Sequence, residues 1–159
     1  MKQKTFLMLK PDAFATHHVE DVLQDLKQAG LCIEKQKEVQ VDMKVMKTLI
    51  EHYAGVIDSM DKGFNFPGKL FNSFYYDGPH YIMPMEVSYD GEEDIITLTR
   101  TLAGKTNPQE ADPNSIRGKY SDDSYDKASA GVRLVNNVIH ASDSKESAER
   151  ELKIWEKYL

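Results

Sequence analysis

Cysteine is nearly absent: Cys32 is the only one in 159 residues. A single thiol cannot close an internal disulfide, and it cannot build a structural zinc site of several cysteines. Long hydrophobic runs are missing too. The run near the N-terminus, Phe6 to Leu9, is far too short for a signal peptide or a membrane span. Positive charge is the minority, with 20 Lys and Arg against 26 Asp and Glu and a net charge of -6. Such a chain lacks the positive field for broad nucleic-acid binding, although a few convergent cations still hold a small anion. No internal repeat or low-complexity tract appears. What remains is the composition of an ordinary globular protein, 40% hydrophobic and 29% charged. We expect one cytosolic domain over residues 1–159, without a membrane segment.

Several chemistry-bearing motifs are also missing. Gly104-Lys105-Thr106 looks like the end of a P-loop, but Thr99 stands where that motif needs its first glycine. There is no Gly-x-Gly-x-x-Gly fingerprint, no protein-kinase motif set and no Gly-x-Ser-x-Gly elbow. The five histidines, His17, His18, His52, His80 and His140, form no His-Glu-x-x-His pair.

The patterning that is present alternates strands and helices. Thr5 to Lys10 reads as a buried strand ended by Pro11. Val19, Val22, Leu23, Leu26 and Ala29 recur at helical spacing, and Gly30 supplies a stop. Residues 31–41 read as a strand. Asp42 is a candidate N-cap for a helix with Met46, Leu49, Ile50 and Tyr53 on one face. Periodicity fails between Ala54 and Pro79, apart from a helical turn or two at Leu70, Phe71 and Phe74. Residues 80–89 read as a strand, but Pro84 predicts an edge, a bulge or an early end. Ile95, Leu98 and Leu102 mark a helix led by acids. Lys105 to Asp126 reads as a long, polar loop. A short strand over 137–139 precedes a last helix, with Asp143 as N-cap, Glu146 at N3 and Ala148, Leu152 and Trp155 as its stripe. The pattern predicts mixed α and β structure, with helices backing a sheet.

His140 stands just before that last helix. A histidine there serves packing, metal binding or catalysis, and position alone does not choose. A neutral imidazole is largely available near pH 7 as a nucleophile, and it splits one phosphoryl transfer into two by carrying the group itself. Such a use needs an orienting partner, for which Ser142 and Glu151 are near, and cations such as Lys10, Arg100 and Arg117.

Three blocks carry a family resemblance: TFLMLKPDA from Thr5, AGKTNPQEADPNSIRGKY from Ala103, and NNVIHASDSKESAERELKIW from Asn136. Together, and in this order, they resemble the nucleoside diphosphate kinases. The resemblance implies transfer of the terminal phosphoryl group from a nucleoside triphosphate to a nucleoside diphosphate. It implies a ping-pong mechanism through a phosphohistidine, with Mg²⁺ carried on the nucleotide. It implies a ferredoxin-like α+β sandwich, a four-stranded antiparallel sheet covered by helices, assembled as hexamers or tetramers. By position, His140 matches the phosphorylated histidine, and Lys10 the lysine at the phosphates and sugar. Tyr53 matches the tyrosine beside the histidine. Arg100, Thr106 and Arg117 match the residues around the β- and γ-phosphates. Asn137 matches the sugar-binding asparagine, while Ser142 and Glu151 match the pair that orients the imidazole. Phe66, Phe71 and Leu134 take the places of the apolar groups around the base.

The chain departs from that pattern in places. Ala13 and the pair Thr16-His17 replace a glycine and an Arg-Gly pair. Gly55 to Tyr76 matches poorly, so Phe64 competes with Phe66 for the base-stacking position. About ten residues, including Ser121 to Ser129, are added before the histidine block, where they reshape the site rim or a subunit contact. A nucleotide-binding regulatory relative with weak or no activity is the alternative reading, which the retained site set argues against. An RNA-binding domain of the same sheet type is disfavoured by the acidic charge and the lack of an aromatic RNA-binding strand motif.

Overall fold

The computed structural model describes residues 2–159. Its centre is the strand β1 (Gln3–Leu9), whose last five residues are all buried. The reason is that both faces of this strand are covered. Leu7 and Leu9 point into one core, and Phe6 and Met8 into the other. A two-faced strand reads as a continuous apolar run, as this one does.

Around it the sheet runs β2 (Cys32–Gln36), β4 (Tyr81–Tyr89), β1 and β5 (Ile139–Ala141), all antiparallel. The two-residue β3 (Val39–Gln40) also pairs with β4, so the four-stranded path carries a fifth, short strand. One core lies under α2 (Val19–Gln28) and α6 (Ile95–Ala103). The other lies under α3 (Met43–His52), α5 (Phe66–Phe74) and α9 (Lys145–Ile154). The fold is the ferredoxin-like α+β sandwich. Among the described residues no helix is long and apolar enough to cross a membrane.

Pro84 does not end β4. The strand runs through it, with Pro84 paired to Met8 in register. The disturbance falls on the neighbour instead. Lys37 N–H donates to the Pro84 carbonyl at 3.4 Å, so the missing N–H of Pro84 faces that same side of the strand. There the opposing chain breaks into β2 and β3. An edge with a gap tolerates a residue that cannot donate.

Other details depart from the sequence pattern. Ile50 is exposed, while Val45 and His52 take inward positions on α3; the Asp42 cap forms, accepting from Val45 N–H at 2.9 Å. The cap of α9 is Ser144, not Asp143, with the Ser144 hydroxyl accepting from Ser147 N–H at 3.0 Å. Lys105 to Asp126 is not a bare loop: it contains a 3₁₀ turn over Pro108–Glu110 and α7 (Ile116–Tyr120). The added residues form α8 (Tyr125–Ala130), capped by Ser124. Between Ala54 and Pro79 lie α4 (Ala54–Ser59), a 3₁₀ turn over Lys62–Phe64 and α5. A further short helix, α1 (Pro11–Ala15), follows β1. After it His17 takes φ 60, a left-handed conformation that favours the glycine it replaces.

Candidate active site

One end of the sheet opens into a cleft of about 600 Å³. The ends of β1 and β5, the segment before β5, and the helices α3, α5, α6, α7 and α9 bring residues to it. His140 sits on β5 directly across from Met8, so it faces the core that holds Phe6 and Trp155. On α9, Ala148, Glu151 and Trp155 follow at spacings of three and four, which turns Glu151 inward with the apolar stripe. The helix therefore returns the carboxylate to the strand: His140 Nε2 lies 2.8 Å from Glu151 Oε1. Ser142 Oγ lies 2.7 Å from the same oxygen and 3.1 Å from the Phe6 carbonyl. A hydroxyl has one proton, and the carboxylate is the shorter and stronger acceptor for it. With Nε2–H given to Glu151, the neutral ring keeps its lone pair on Nδ1.

Aromatic neighbours frame this ring, Phe6 among them at 6.0 Å. His52 stands edge-on to it with centroids 4.5 Å apart, and Tyr53 at 6.2 Å. His52 is buried and accepts the indole N–H of Trp155 at Nδ1, 3.0 Å away. Burial holds its pKa well below the ordinary histidine value, with His140 and Arg150 adding to the effect. Burial pushes the Tyr53 phenol up, and Glu151 adds to it. His52, His140 and Glu151 also form a group whose ligand atoms lie within 4.8 Å of one another. Their hydrogen bonds to one another and to Trp155 already use one nitrogen of each ring.

The cations are held by backbone oxygens. Arg117 is buried, and its guanidinium donates to the carbonyls of Gly104 at 2.8 Å, Ile139 at 2.7 Å and Asn137 at 3.3 Å. Three of five N–H donors are used, which leaves two for a ligand. Burial and then Arg100 lower its pKa to about 10. Two glycines make the anchor possible. Gly104 has φ 91, and a Cβ on Gly118 would lie 2.0 Å from the Asp112 carbonyl oxygen. Arg100 Nη1 reaches the Ala141 carbonyl at 3.2 Å. Lys10 is buried, with Nζ donating to Asn137 Oδ1 at 2.8 Å and the Val135 carbonyl at 2.9 Å. Burial lowers its pKa to about 8. Asn137 Nδ2 in turn donates to the Thr106 carbonyl at 2.9 Å.

The chain is bent sharply between Asn137 and His140. Val138 is fully buried at φ 73, and Ile139 N–H donates to the Asn137 carbonyl at 2.7 Å. This is a three-residue γ-turn of the strained hand, unusual for a β-branched residue. Asp12 holds it by accepting the Val138 N–H at 3.0 Å, and Lys10 N–H donates to the Val138 carbonyl at 2.8 Å.

The cleft thus gathers Lys10, Tyr53, Phe66, Arg100, Thr106, Arg117, Leu134, Asn137, His140 and Glu151 in its lining. Ser142 stands behind Glu151. Phe71 is not brought there. It lies on the outer face of α5, with its ring 5.1 Å from that of Tyr75. Phe64 does line the cleft, stacked 6.4 Å from Phe66. His52, Lys69, Tyr125 and Arg133 also line it and were not singled out in the sequence. His52 was legible from its spacing to Val45 and Leu49 on the buried face of α3. The α8 side chains carry no sequence signal.

The sequence profile of the family described as nucleoside diphosphate kinase matches residues 3–158. A nucleoside diphosphate kinase of Staphylococcus epidermidis is 35% identical over 153 residues, covering 96% of this chain and 87% of the relative. One from Methanosphaera stadtmanae is 35% identical over 158 residues, covering 98% and 86%. Among solved structures, the Borrelia burgdorferi nucleoside-diphosphate kinase with bound vanadate and ADP, described as a transition-state mimic, superposes with a TM-score of 0.83. It is 26% identical and covers 97% of this chain and 86% of that one. A chain with this fold and these relatives is a phosphotransferase that acts on nucleotides. It belongs to the nucleoside diphosphate kinase family, and nucleoside diphosphate kinase activity is its function.

Proposed function

We propose that the reaction runs as a ping-pong transfer through a phosphohistidine on Nδ1 of His140. The observation that carries this is the 2.8 Å bond from His140 Nε2 to Glu151, which leaves Nδ1 as the lone-pair nitrogen of a cleft residue. In the first half-reaction the Nδ1 lone pair attacks the γ-phosphorus of a nucleoside triphosphate. The bond from that phosphorus to the bridging oxygen breaks, and the nucleoside diphosphate leaves with the electron pair. In the second, a terminal β-phosphate oxygen of another diphosphate attacks the phosphohistidine and Nδ1 leaves. Glu151 keeps the Nε2 proton close and stabilises the charge that the ring gains while phosphorylated.

The rest of the cleft positions and neutralises, which is most of the catalysis in phosphoryl transfer. Arg100, Thr106 and the two free donors of Arg117 meet the β- and γ-phosphates. Lys10 and Asn137, already bonded to each other, meet the phosphates and sugar. Tyr53 packs against the imidazole, and Ser142 fixes Glu151. Phe66, Phe64 and Leu134 hold the base; Phe71 is too far out on α5 for that part. Mg²⁺ enters as part of the nucleotide substrate. Among the described residues the lining carboxylates are Asp143 and Glu151, and Glu151 is engaged with His140 and Ser142. That set suits an ion carried by phosphate oxygens rather than an all-protein cage.

We further propose that residues 1–159 act as one domain and that the enzyme is a cytoplasmic homo-oligomer, a hexamer or tetramer. The bare outer edge of β2 supports self-association. Incubation with γ-labelled ATP and Mg²⁺, without acceptor, tests the mechanism. The expected product is an acid-labile, base-stable label, absent in His140→Ala and discharged by nucleoside diphosphates. A label that survives the substitution would overturn it.

A further inference from the structure

A line of rings leads outward from the nucleophile. His140 is 6.2 Å from Tyr53, Tyr53 is 5.5 Å from Phe66, and Phe66 is 6.4 Å from Phe64. At the outer end, Lys69 Nζ lies 3.6 Å from the centroid of Phe64. Lys69 follows Phe66 by three residues on α5, so both project to the same side of the helix. Among the described residues it forms no ion pair with a carboxylate. This ammonium is held by an aromatic face and lines the cleft.

A further part of the lining comes from α8. Tyr125, Ala128 and Ser129 of α8 line the same cleft, beside Leu134. The segment is fastened rather than loose. Asp123 takes two bonds from Arg133, at 2.5 and 3.0 Å, and one from Asn136 N–H at 2.7 Å. Ser121 Oγ also donates to the Asn136 carbonyl. Leu134 N–H bonds to Ser73 Oγ and Asn72 to the Val132 carbonyl, which tie the segment to α5. A planar base in this space meets apolar faces from two segments and a fixed rim.

We infer that Lys69 reads the edge of the base and makes this kinase favour 6-oxopurine nucleotides, such as those of guanine, over adenine. The inference rests on the nucleotide reading of the cleft proposed above. The hydroxyls of Tyr125 and Ser129 donate and accept equally and carry no sign. An ammonium only donates. Guanine offers it two adjacent acceptors, O6 and N7, whereas adenine places a donating amino group at the same edge. The aromatic seat of Lys69 leaves its N–H groups free for such a pair, because no carboxylate competes for them.

The test uses the phosphoenzyme itself, formed with ATP, freed of nucleotide and mixed rapidly with GDP, inosine diphosphate or ADP. Discharge by GDP and by inosine diphosphate should exceed discharge by ADP about tenfold in second-order rate. In Lys69→Met, which keeps an unbranched side chain but removes the ammonium, the three rates should fall within about twofold of one another. Lys69→Arg should restore the order. Equal rates in the unaltered protein, or an order that survives Lys69→Met, would overturn the proposal. So would a preference for GDP that inosine diphosphate does not share, since the 2-amino group would then be what is read. If no phosphoenzyme forms, the covalent mechanism fails instead. Calorimetric binding of the same three diphosphates to the native and Lys69→Met proteins then decides the role of Lys69 by the same ordering.

Discussion

The indole N–H of Trp155 donates to Nδ1 of His52 across 3.0 Å, and this one bond fixes the tautomer of the ring that stands against His140. With Nδ1 accepting and the ring held neutral by burial, the proton of His52 sits on Nε2. Trp155→Phe removes the donor and leaves a buried acceptor unpaired. The expected loss of stability is ~1–3 kcal/mol for that atom, with lost packing in addition. The nitrogen-15 shifts of His52 should change from one tautomer to a mixture, and phosphoenzyme formation should slow. Unchanged His52 shifts in the variant would show that something other than Trp155 sets the ring.

We expect Lys10 to set an alkaline limit on activity. Its folded pKa of about 8 lies below the ordinary 10.5 because the ammonium is buried. Above pH 8 the free enzyme loses this charge, so kcat/KM for the nucleotide should fall with an apparent pKa near 8. Bound phosphate favours the charged form, so the limb in kcat should lie higher. Lys10→Arg should abolish the limb, whatever its effect on the maximum. The same shift appears in stability. Between about 8 and 10.5 the unfolded chain holds a proton that the folded protein has released. Stability therefore rises across this window and is lower below it, by up to ~3 kcal/mol. Denaturant titrations at about pH 7.5 and about pH 9.5, one below that window and one within it, should show the rise in the native protein and not in Lys10→Met.

How much of this was legible in the sequence depended on how local the cause was. The Asp42 cap and the two-faced apolar run of β1 were readable because each is set by a few neighbouring residues. Pro84 was legible only in part: β4 does not end there, and the irregularity falls on the neighbouring chain, where the break between β2 and β3 accommodates it. The cap of α9 was off by one residue: Ser144 and Asp143 are both good caps, and the helix entry decides between them. The cluster around His140 was legible only through family resemblance. Its members come from β1, α3, α6, α7, β5 and α9, and no spacing in the sequence joins them. The segment around α8 followed neither route, because short polar helices leave no periodic signal.

The poorly matched segment from Gly55 to Tyr76 yields a direct contrast. Phe64 lines the cleft, stacked near Phe66, whereas Phe71 lies on the outer face of α5 against Tyr75. Base stacking on an aromatic ring contributes about 1–3 kcal/mol by truncation. Phe64→Ala should therefore raise KM for nucleoside diphosphates about tenfold, with a smaller change in kcat. Phe71→Ala should leave KM within about twofold, since no base reaches it. Steady-state titrations with a single acceptor distinguish the two. A larger effect at Phe71 would move the base to the other side of α5.

Val138 tests whether backbone strain beside the proposed nucleophile is part of the design. The residue is fully buried at φ 73, and the turn it makes brings Asn137 to Lys10 and His140 to Glu151. Asp12 and the Lys10 amide hold that turn by bonding its N–H and carbonyl. A non-glycine residue in this region costs ~1–3 kcal/mol. Val138→Ala and Val138→Gly both remove the buried side chain, so the difference between them isolates the backbone. At an ordinary position glycine would be the less stable of the two, because it loses more chain entropy. Here the order should invert, with Val138→Gly more stable than Val138→Ala by ~1 kcal/mol in urea titrations. Activity should follow the opposite order. A glycine leaves the turn free to relax, so His140 loses its fixed approach to the phosphate and phosphoenzyme formation slows more than in the alanine variant. An alanine variant at least as stable as the glycine variant would mean that the surrounding hydrogen bonds, not the conformation of Val138, set the energy of the turn.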